Sequence, residues 1–336
     1  MATRARIHDL VERFAGRRIV VYGDLVLDRF ILGSPKRISR EAPVVILRFE
    51  EQRDVPGGGA NALANIAALG GAPLAVGLVG DDEPGGSLAA ALRSQGIDTA
   101  GIEVVAGMKT TTKVRVLAGG PSSLRFQVAR YDVEDHVPDD AGLRERLFAR
   151  LERAAAAAAG AAISDYGYGT VNAAGVARLR AALPPGSLAT ADSRYGLGDL
   201  GPVDGATPNL EELAEVAGGD VRGDRAVADA AEALRRRLGA SFLAATRGSQ
   251  GMTLVQDGRA PLHLPVYGTD QVADVTGAGD TVLAVLVLSL ASGATPREAA
   301  ALANIAGGIV VTKLGTATVT RPELHRAIDL AEFLDD

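Results

Sequence analysis

Short apolar runs alternate with longer stretches of helical periodicity along most of the chain, and glycine or polar residues separate them. The short runs predict buried strands at 18–22, 75–79, 161–164, 188–191 and 242–246. The longer stretches predict helices at 60–69, 87–95, 139–159, 171–183, 210–217, 225–238, 281–291 and 296–313. Because strands that alternate with helices pair in parallel through right-handed crossovers, the pattern predicts an α/β fold, with a mostly parallel sheet flanked by helices.

Two β-rich segments lack intervening helices. The first, about 26–53, contains a polar, basic stretch at 35–43, predicted to be a loop, followed by a strand at 44–50. In the second, about 109–134, apolar runs flank Gly119-Gly120-Pro121-Ser122, a sequence typical of a hairpin turn. We expect the two segments to pair outside the main sheet as a small β lid on a single domain spanning 1–336. Pairing of two lids across a two-fold axis would cover their edges, which predicts a homodimer.

Composition narrows the class of protein. Of the 336 residues 47% are hydrophobic, enough for one large core, and the formal net charge of -6 disfavours a nucleic-acid surface. The chain has no cysteine, and its four histidines lack the spacing of metal ligands. The most apolar stretch, 282–291, is far shorter than the ~20 residues that a membrane helix needs. We therefore expect a cytoplasmic protein with no nucleic-acid or membrane partner.

The strongest chemical signal is the turn Asp274-Val275-Thr276-Gly277-Ala278-Gly279-Asp280 before a predicted helix. Glycines let this backbone turn tightly, and the N–H groups at a helix N-terminus attract anions. An aspartate there would repel a phosphate unless it acts on a hydroxyl beside it. The pattern therefore favours phosphoryl transfer, with Asp280 accepting the hydroxyl proton and the backbone of 277–279 holding phosphoryl oxygens. An ordinary N-cap aspartate explains the spacing equally well.

Four weaker signals lie at predicted strand ends and helix starts. Gly57-Gly58-Gly59-Ala60-Asn61 brings backbone and an amide close to a ligand, and Asp24 and Asp28 follow the first strand. Asn209 and Glu212 are three residues apart at a helix start, which suits water-mediated Mg²⁺ binding; a helix cap explains that spacing almost as well. The turn Thr246-Arg247-Gly248-Ser249-Gln250-Gly251 is either a nucleotide-phosphate site or a plain turn.

Together and in this order, these motifs resemble the ribokinase-like (PfkB) carbohydrate kinases over about residues 17–320. The 274–281 stretch is the most specific motif of that family, and 57–62 with 65–70 is its partner signature. The resemblance implies a ribokinase-like fold with Asp280 as base and an anion hole at Gly277, Ala278 and Gly279. It further implies ATP, Mg²⁺ and K⁺ as cofactors. The remaining implied roles are sugar binding by Asp28, Gly58 and Asn61, Mg²⁺ positioning by Asn209 and Glu212, K⁺ binding beside Asp274, and an ATP pocket at Thr246, Gly248, Gly251 and Asn304.

Within the family the chain is most similar to kinases of D-glycero-β-D-manno-heptose 7-phosphate. The similar stretches are 23–30, 37–44 and 164–167, which includes Asp165 as a substrate-binding candidate, together with Gln127, Arg130 and Asp132. The likeness implies phosphorylation of the anomeric hydroxyl to give the 1,7-bisphosphate. Such a substrate needs cations far from Asp280, and Arg37, Lys113 and Arg115 of the lid are the candidates. A solvated edge strand carries such cations as readily.

Two other functions stay open at this point. The first is a different kinase of the same family, acting on a free sugar, another phosphosugar or a nucleoside. The second is a sugar-binding regulator that has lost catalysis on a kinase fold, although an acid beside an anion site favours an enzyme. A dinucleotide-dependent dehydrogenase is disfavoured, because no Gly-x-Gly-x-x-Gly follows the first strand.

Overall fold

The computed structural model describes residues 3–119, 125–268 and 272–334, so the predicted turn at 120–122 lies outside the described residues. The strands are β1 (Arg18–Gly23), β2 (Leu25–Ile38), β3 (Val45–Gly58), β4 (Ala72–Gly80), β5 (Asp98–Val105), β6 (Thr112–Ala118), β7 (Phe126–Val133), β8 (Gly160–Asp165), β9 (Leu188–Ser193), β10 (Gly205–Ala206), β11 (Phe242–Thr246), β12 (Met252–Gln256) and β13 (Leu262–Leu264). The helices are α1 (Arg4–Glu12), α2 (Gly59–Ala68), α3 (Glu83–Ser94), α4 (Ala141–Ala155), α5 (Ala173–Ala182), α6 (Leu210–Ala217), α7 (Gly223–Leu238), α8 (Ala278–Ala291), α9 (Pro296–Val310) and α10 (Arg321–Leu330).

The main sheet has the strand order β13-β12-β11-β10-β9-β8-β1-β4-β5. Its strands are parallel from β5 to β11, while β12 and β13 add an antiparallel edge. Helices cover both faces, and each face has its own apolar core. One core joins α1, α2, α3, α8, α9 and α10, and the other joins α4, α5, α6 and α7. The predicted α/β fold is confirmed, and the carboxyl ends of the parallel strands meet at one edge.

The small β lid is also confirmed, as a separate sheet of order β3-β2-β6-β7. Strand β2 pairs antiparallel with β3 and parallel with β6, and β6 pairs antiparallel with β7. Arg29 of β2 binds Asp54 of β3 with two hydrogen bonds of 2.8 and 2.7 Å, and the Ser87 hydroxyl of α3 donates to Asp54 at 2.8 Å. These contacts fix the base of the lid against the main body.

Some segments depart from the sequence prediction. The loop predicted at 35–43 is wrong in its first part, because β2 continues through Pro35 to Ile38; β-bulges beside Gly33 and Pro35 accommodate the missing proline N–H. Strands β5, β10, β12 and β13 and helices α1 and α10 were not predicted. Strands β5 and β13 are at the edges of the sheet, β10 has two residues, and the two helices are mostly polar. Strand β12 is apolar and buried, and its pattern was missed. None of the helices in the described part of the chain is long and apolar enough to cross a membrane.

Candidate active site

Asp280 lies at the centre of the strand-end edge, in the first turn of α8, and only 1% of it is exposed. The N-cap of α8 is Gly277, so Asp280 is not the ordinary capping residue that its spacing also allowed. The Tyr166 hydroxyl donates to one oxygen of Asp280 at 2.9 Å, and the Asn61 amide donates to the other at 3.2 Å. A carboxylate has about four lone-pair directions, so both oxygens can still accept from a substrate hydroxyl.

The pKa of Asp280 is raised from 3.8 to about 7, mainly by burial, and the charge of Asp28 acts in the same direction. Hydrogen bonds from Asn61 and Tyr166 and the charge of Lys113 oppose that rise. A carboxylate with this pKa is partly ionised near neutral pH and becomes a stronger base than a solvated aspartate. Asp280 is therefore suited to accept a proton from a hydroxyl.

Position 277 requires a glycine, both because of its backbone conformation and because of the atoms around it. Its φ of 77° lies in the left-handed region, and a Cβ there would be 2.4 Å from the Asn61 amide nitrogen. The Ala278 N–H donates to the Val275 carbonyl at 3.2 Å. Among the described residues, the N–H groups of Gly279 and Asp280 have no such backbone acceptor, so they remain available to an anion at the N-terminus of α8.

The lid presents Asp28 and a set of cations toward this edge. Asp28, Lys113 and Asp132 are direct neighbours on β2, β6 and β7, and Phe30, Arg115 and Arg130 form the next row on the same face. Arg115 forms an ion pair with Asp28, whose other oxygen accepts from the Thr316 hydroxyl at 2.7 Å. Asp28, Lys113 and Arg115 are all at least 90% buried. The structure therefore brings these three predicted residues together.

Lys113 is a lid cation that contacts the aromatic ring of Tyr166. Its ammonium lies 4.9 Å from the centre of the Tyr166 ring. Burial lowers the pKa of Lys113, and the charge of Asp28 opposes that change. The positive charges of Arg130 and Arg194 lower the pKa of Lys113 further. Together with Lys113 and Arg115, they make four cations near this end of the lid.

Three predicted substrate contacts have other surroundings. Arg37 is exposed and lies nine residues along β2 from Asp28, which is about 30 Å in an extended strand. Asp165 accepts from the Gly167 N–H at 3.0 Å and the Ser193 hydroxyl at 2.6 Å, so both oxygens hold the strand ends together. At Gly58, with a φ of 54°, a Cβ would lie 3.2 Å from the Tyr166 ring. The absence of that side chain makes room for the ring.

A mostly apolar cavity of about 400 Å³ opens on the other side of α8. The predicted ATP-pocket residues Thr246, Gly248, Gly251 and Asn304 all line it. Its remaining walls are mainly small or aliphatic, namely Ser249, Met252, Val266, Tyr267, Val272, Val275, Ala278, Gly279, Val282, Gly307, Gly308 and Val311. A flat, mostly apolar ligand group fits such walls, and Gly279 connects the cavity with the N-terminus of α8.

Carboxylates gather where β9 and α6 approach Gly279. Asp165, Asp192, Asn209, Glu212 and Gly279 line one cleft. Asn209 and Glu212 form a capping box, in which the Asn209 amide donates to Glu212 at 2.7 Å. Burial raises the pKa of Glu212, and burial together with the charge of Glu212 raises that of Asp192. In the described ranges, no group of three or more His, Asp or Glu residues forms a direct metal site.

Asp274, predicted to lie beside K⁺, forms a local turn. One of its oxygens accepts from the Thr276 N–H at 2.9 Å and the Thr276 hydroxyl at 2.7 Å. The other accepts from the Gly315 N–H at 3.0 Å. Although burial opposes the change, these bonds lower the pKa of Asp274, whose carboxylate joins the turn at 274–276 to the loop at Gly315.

Two residues of the site had no predicted role. Tyr166 contacts Asp280, which lies 114 positions later in the chain, and the charge of Glu212 acts on Asp192. Tyr166 follows β8 and Asp192 is the next-to-last residue of β9, and ligands of parallel sheets bind at the carboxyl ends of such strands. That rule was the available signal, but it does not tell which strand-end residue points inward.

Comparisons with known proteins identify the family of this chain. The sequence profile described as pfkB family carbohydrate kinase matches residues 17–323. The Bifunctional protein HldE of Azotobacter vinelandii is 43% identical over 326 residues, which are 94% of this chain and 64% of that protein. HldE of Caulobacter vibrioides is 40% identical over 328 residues, 96% of this chain and 66% of that protein. The chain thus spans about two thirds of the length of these curated relatives.

Solved structures show the same fold. Phosphofructokinase-2 from Escherichia coli in complex with potassium superposes with a TM-score of 0.76 at 20% identity, covering 96% of this chain and all of that one. Ribokinase from Arabidopsis thaliana, complexed with ribose and ATP, gives a TM-score of 0.69 at 19% identity, covering 94% and 99%. The chain is a carbohydrate kinase, a phosphotransferase whose acceptor is a sugar hydroxyl. It belongs to the pfkB family.

Proposed function

We propose that this kinase transfers the γ-phosphoryl group of ATP to the anomeric hydroxyl of D-glycero-β-D-manno-heptose 7-phosphate, giving the 1,7-bisphosphate. The observation that carries the proposal is the cation-rich wall of the lid. Lys113, Arg115 and Arg130 share one face of the lid with Asp28. Arg115 pairs with Asp28 and Arg130 pairs with Asp132, so the three cations exceed the two carboxylates of this face by one charge. A neutral sugar has no need of that net positive charge, whereas a phosphate monoester binds it. The similarity to the bifunctional HldE proteins supports the same substrate.

In this proposal the sugar lies between the lid and α8. Asp28 and the amide oxygen of Asn61 accept from its hydroxyls, because the two N–H groups of Asn61 are bound to Gly277 and Asp280. The lid cations bind the 7-phosphate. Asp280 accepts the proton of the anomeric hydroxyl, and that oxygen forms a bond to the γ-phosphorus. The bond from the γ-phosphorus to the β–γ bridging oxygen breaks, and ADP leaves. The N–H groups of Gly279 and Asp280 hold the oxygens of the group in transfer.

ATP and two cations complete the proposed site. The adenine occupies the cavity lined by Thr246, Gly251 and Asn304, with its phosphates directed past Gly279. Asn209 and Glu212 would hold Mg²⁺ through water, and the oxygen atoms of their side chains, in one cleft with Asp192, fit a largely hydrated ion. Bound Mg²⁺ neutralises charge on the ATP phosphates. We assign K⁺ to the loop at Asp274, whose carboxylate stays ionised next to the base.

The test is an ADP-release screen with purified protein, MgATP and a panel of acceptors. The panel contains the heptose 7-phosphate, the same heptose without phosphate, fructose 6-phosphate, ribose and a nucleoside. We expect the heptose 7-phosphate to have the highest kcat/KM by at least ~10²-fold, because charge-assisted hydrogen bonds to phosphate contribute most to discrimination. Equal turnover of the heptose and its 7-phosphate would reject the assignment in favour of a free-sugar kinase.

The activity of the kinase should rise with pH at the acidic end of its pH profile. Because the base acts only when ionised, kcat/KM is expected to increase as pH rises through about 7, the pKa of Asp280, and to level off above it. A pH series from 5.5 to 9 with the preferred acceptor measures this limb. A limb near pH 4, the usual range of a solvated aspartate, would contradict the buried base.

We further propose that two chains pair through their lids. Phe49, Gly33, Ala118 and Phe126 form one row across the four lid strands, and the two phenylalanines are 64% and 58% exposed. Large exposed aromatic residues beside small ones form an apolar surface that a second copy can cover. Phe49→Asp should therefore convert a dimer into a monomer in light scattering at micromolar concentration.

The control for this prediction is Leu330→Asp. Leu330 is 72% exposed on α10, outside the lid, so the same apolar-to-charged change there should leave the dimer intact. A wild-type protein that is already monomeric would contradict the proposed assembly.

A further inference from the structure

We propose that Tyr166 is the positioning residue of the base: its hydroxyl holds the Asp280 carboxylate in one orientation and in its ionised form. This inference rests on the proposed function, because it assumes that Asp280 is the base. The Tyr166 hydroxyl lies 2.9 Å from the carboxylate oxygen that Asn61 does not bind. Two donors from opposite sides fix a carboxylate that would otherwise rotate freely about its terminal torsion.

The backbone around Tyr166 is itself held. Asp24, buried at the end of β1, accepts from the N–H groups of Tyr166 at 2.8 Å and Tyr168 at 3.2 Å with one oxygen. Its other oxygen accepts from the Thr170 N–H at 3.1 Å. A buried carboxylate that accepts from every second N–H group along this loop, three in all, determines the course of the backbone. The Tyr166 ring then fits over Gly58, where no side chain intervenes.

Tyr166 acts as a donor at any working pH. Burial raises its pKa well above the usual value of 10, and the charge of Asp280 adds to that rise. The hydroxyl therefore keeps its proton and donates it to the carboxylate. A donor to the ionised form stabilises that form, which moves the titration of the base to lower pH.

Other charged groups also act on Asp280 and must be held constant in a test. Asp28 on β2 and Lys113 on β6 shift its pKa in opposite directions, and Asp192 at the end of β9 shares an electrostatic interaction with it. Asn61 on α2 is the second hydrogen-bond donor. Tyr166 is the one aromatic residue bonded to Asp280 in the described part of the chain. Removal of its hydroxyl leaves the side chains of Asp28, Lys113, Asp192 and Asn61 in place.

The experiment compares Tyr166→Phe with Tyr168→Phe in the full chain. Tyr168 is the matched control, because its hydroxyl donates to Glu134 at 2.8 Å instead of to the base. Aspartate labelled with ¹³C at the carboxyl carbon reports the titration of Asp280 by NMR, and its signal is the one absent from Asp280→Asn. We expect Tyr166→Phe to move that titration to higher pH and to lower kcat at pH 7 by about 10-fold to 100-fold, with the KM for ATP unchanged.

Tyr168→Phe should leave both readouts as in the wild type. A second measurement keeps the shape of the site: 3,5-difluorotyrosine at position 166 is a stronger donor and should move the titration of Asp280 to lower pH. This variant decides the question even if Tyr166→Phe does not fold. An unmoved titration in Tyr166→Phe, or in the fluorinated protein, overturns the inference.

The two hypotheses fail in different ways. Normal turnover in Asp280→Asn rejects Asp280 as the base and with it the proposed mechanism. Loss of turnover in Asp280→Asn, combined with a titration that Tyr166→Phe does not move, keeps the mechanism and rejects only the role of Tyr166.

Discussion

Replacing Asp280 with asparagine should lower turnover by at least ~10²-fold while leaving the KM for ATP nearly unchanged. Asparagine keeps the shape of the side chain but cannot accept the hydroxyl proton. The nucleotide cavity lies on the other side of α8, and its described walls fall between Thr246 and Val311 without including Asp280. Initial rates of ADP release, with ATP varied at saturating acceptor, measure both quantities. Near-normal turnover would remove Asp280 from the mechanism.

The same variant should be more stable than the wild type above pH 7. Folding raises the pKa of Asp280 from 3.8 to about 7, so the folded state retains a proton that the unfolded chain releases between these values. The free energy of unfolding therefore falls as pH rises from about 4 to about 7, and the loss is complete above that range. Linkage puts the loss on the order of 4 kcal/mol. Urea unfolding at pH 8 and pH 5 should show a stability advantage of Asp280→Asn that is smaller at pH 5.

Replacing Arg115 with alanine should erase most of the preference for the phosphorylated heptose over the free heptose. A guanidinium binds phosphate with two charge-assisted hydrogen bonds, and its loss lowers kcat/KM for the phosphosugar by about 10-fold to 100-fold. The free sugar makes no such contact, so its kcat/KM should change less. The KM for ATP should stay constant, because the cavity walls and the lid come from separate parts of the chain.

Two further variants control this experiment. Arg115 also pairs with the buried Asp28, so Arg115→Ala leaves a carboxylate without its partner and lowers stability. Arg115→Lys keeps a positive charge beside Asp28 and should retain the fold with an intermediate preference. Arg37→Ala removes a positive charge about 30 Å from Asp28, measured along an extended strand. If one chain builds the whole site, this variant should keep the preference for the phosphorylated heptose. Full preference in Arg115→Ala would place the phosphate elsewhere.

The order of elements and the location of the chemistry were predictable from the sequence, because both depend on local patterns. Short apolar runs identified the strands from β1 to β11 except β5 and β10, and the turn at 274–280 pointed to Asp280, the proposed base. The family resemblance suggested Thr246, Gly248, Gly251 and Asn304 as ATP-pocket residues, and all four line the cavity beside α8. The confirmed lid likewise followed from β-rich segments without helices between them.

Contacts between distant segments were not predictable in the same way. Asn61 was predicted to bind sugar, and the structure places its amide on Asp280, 219 positions along the chain. Tyr166 was known only as part of a similar stretch, since no spacing rule relates a strand-end tyrosine to a helix turn 114 residues later. Arg37 was grouped with Arg115 because both are lid cations, but the register of β2 separates them. The register of the strands and the direction of the side chains are set by tertiary packing. No local pattern in a single sequence shows that packing.

The connections of the lid have a consequence for how such kinases diverge. A single residue, Asp24, separates β1 from β2, and β3 ends where α2 begins, so one half of the lid is joined to the body by very short links. Its strands supply Asp28, Lys113 and Arg115, whereas Asp280 and the nucleotide cavity come from the body. Substitutions confined to lid strands can thus alter acceptor choice without altering the transfer machinery. Swapping whole lids between relatives is a route to new sugar selectivity on an unchanged catalytic body.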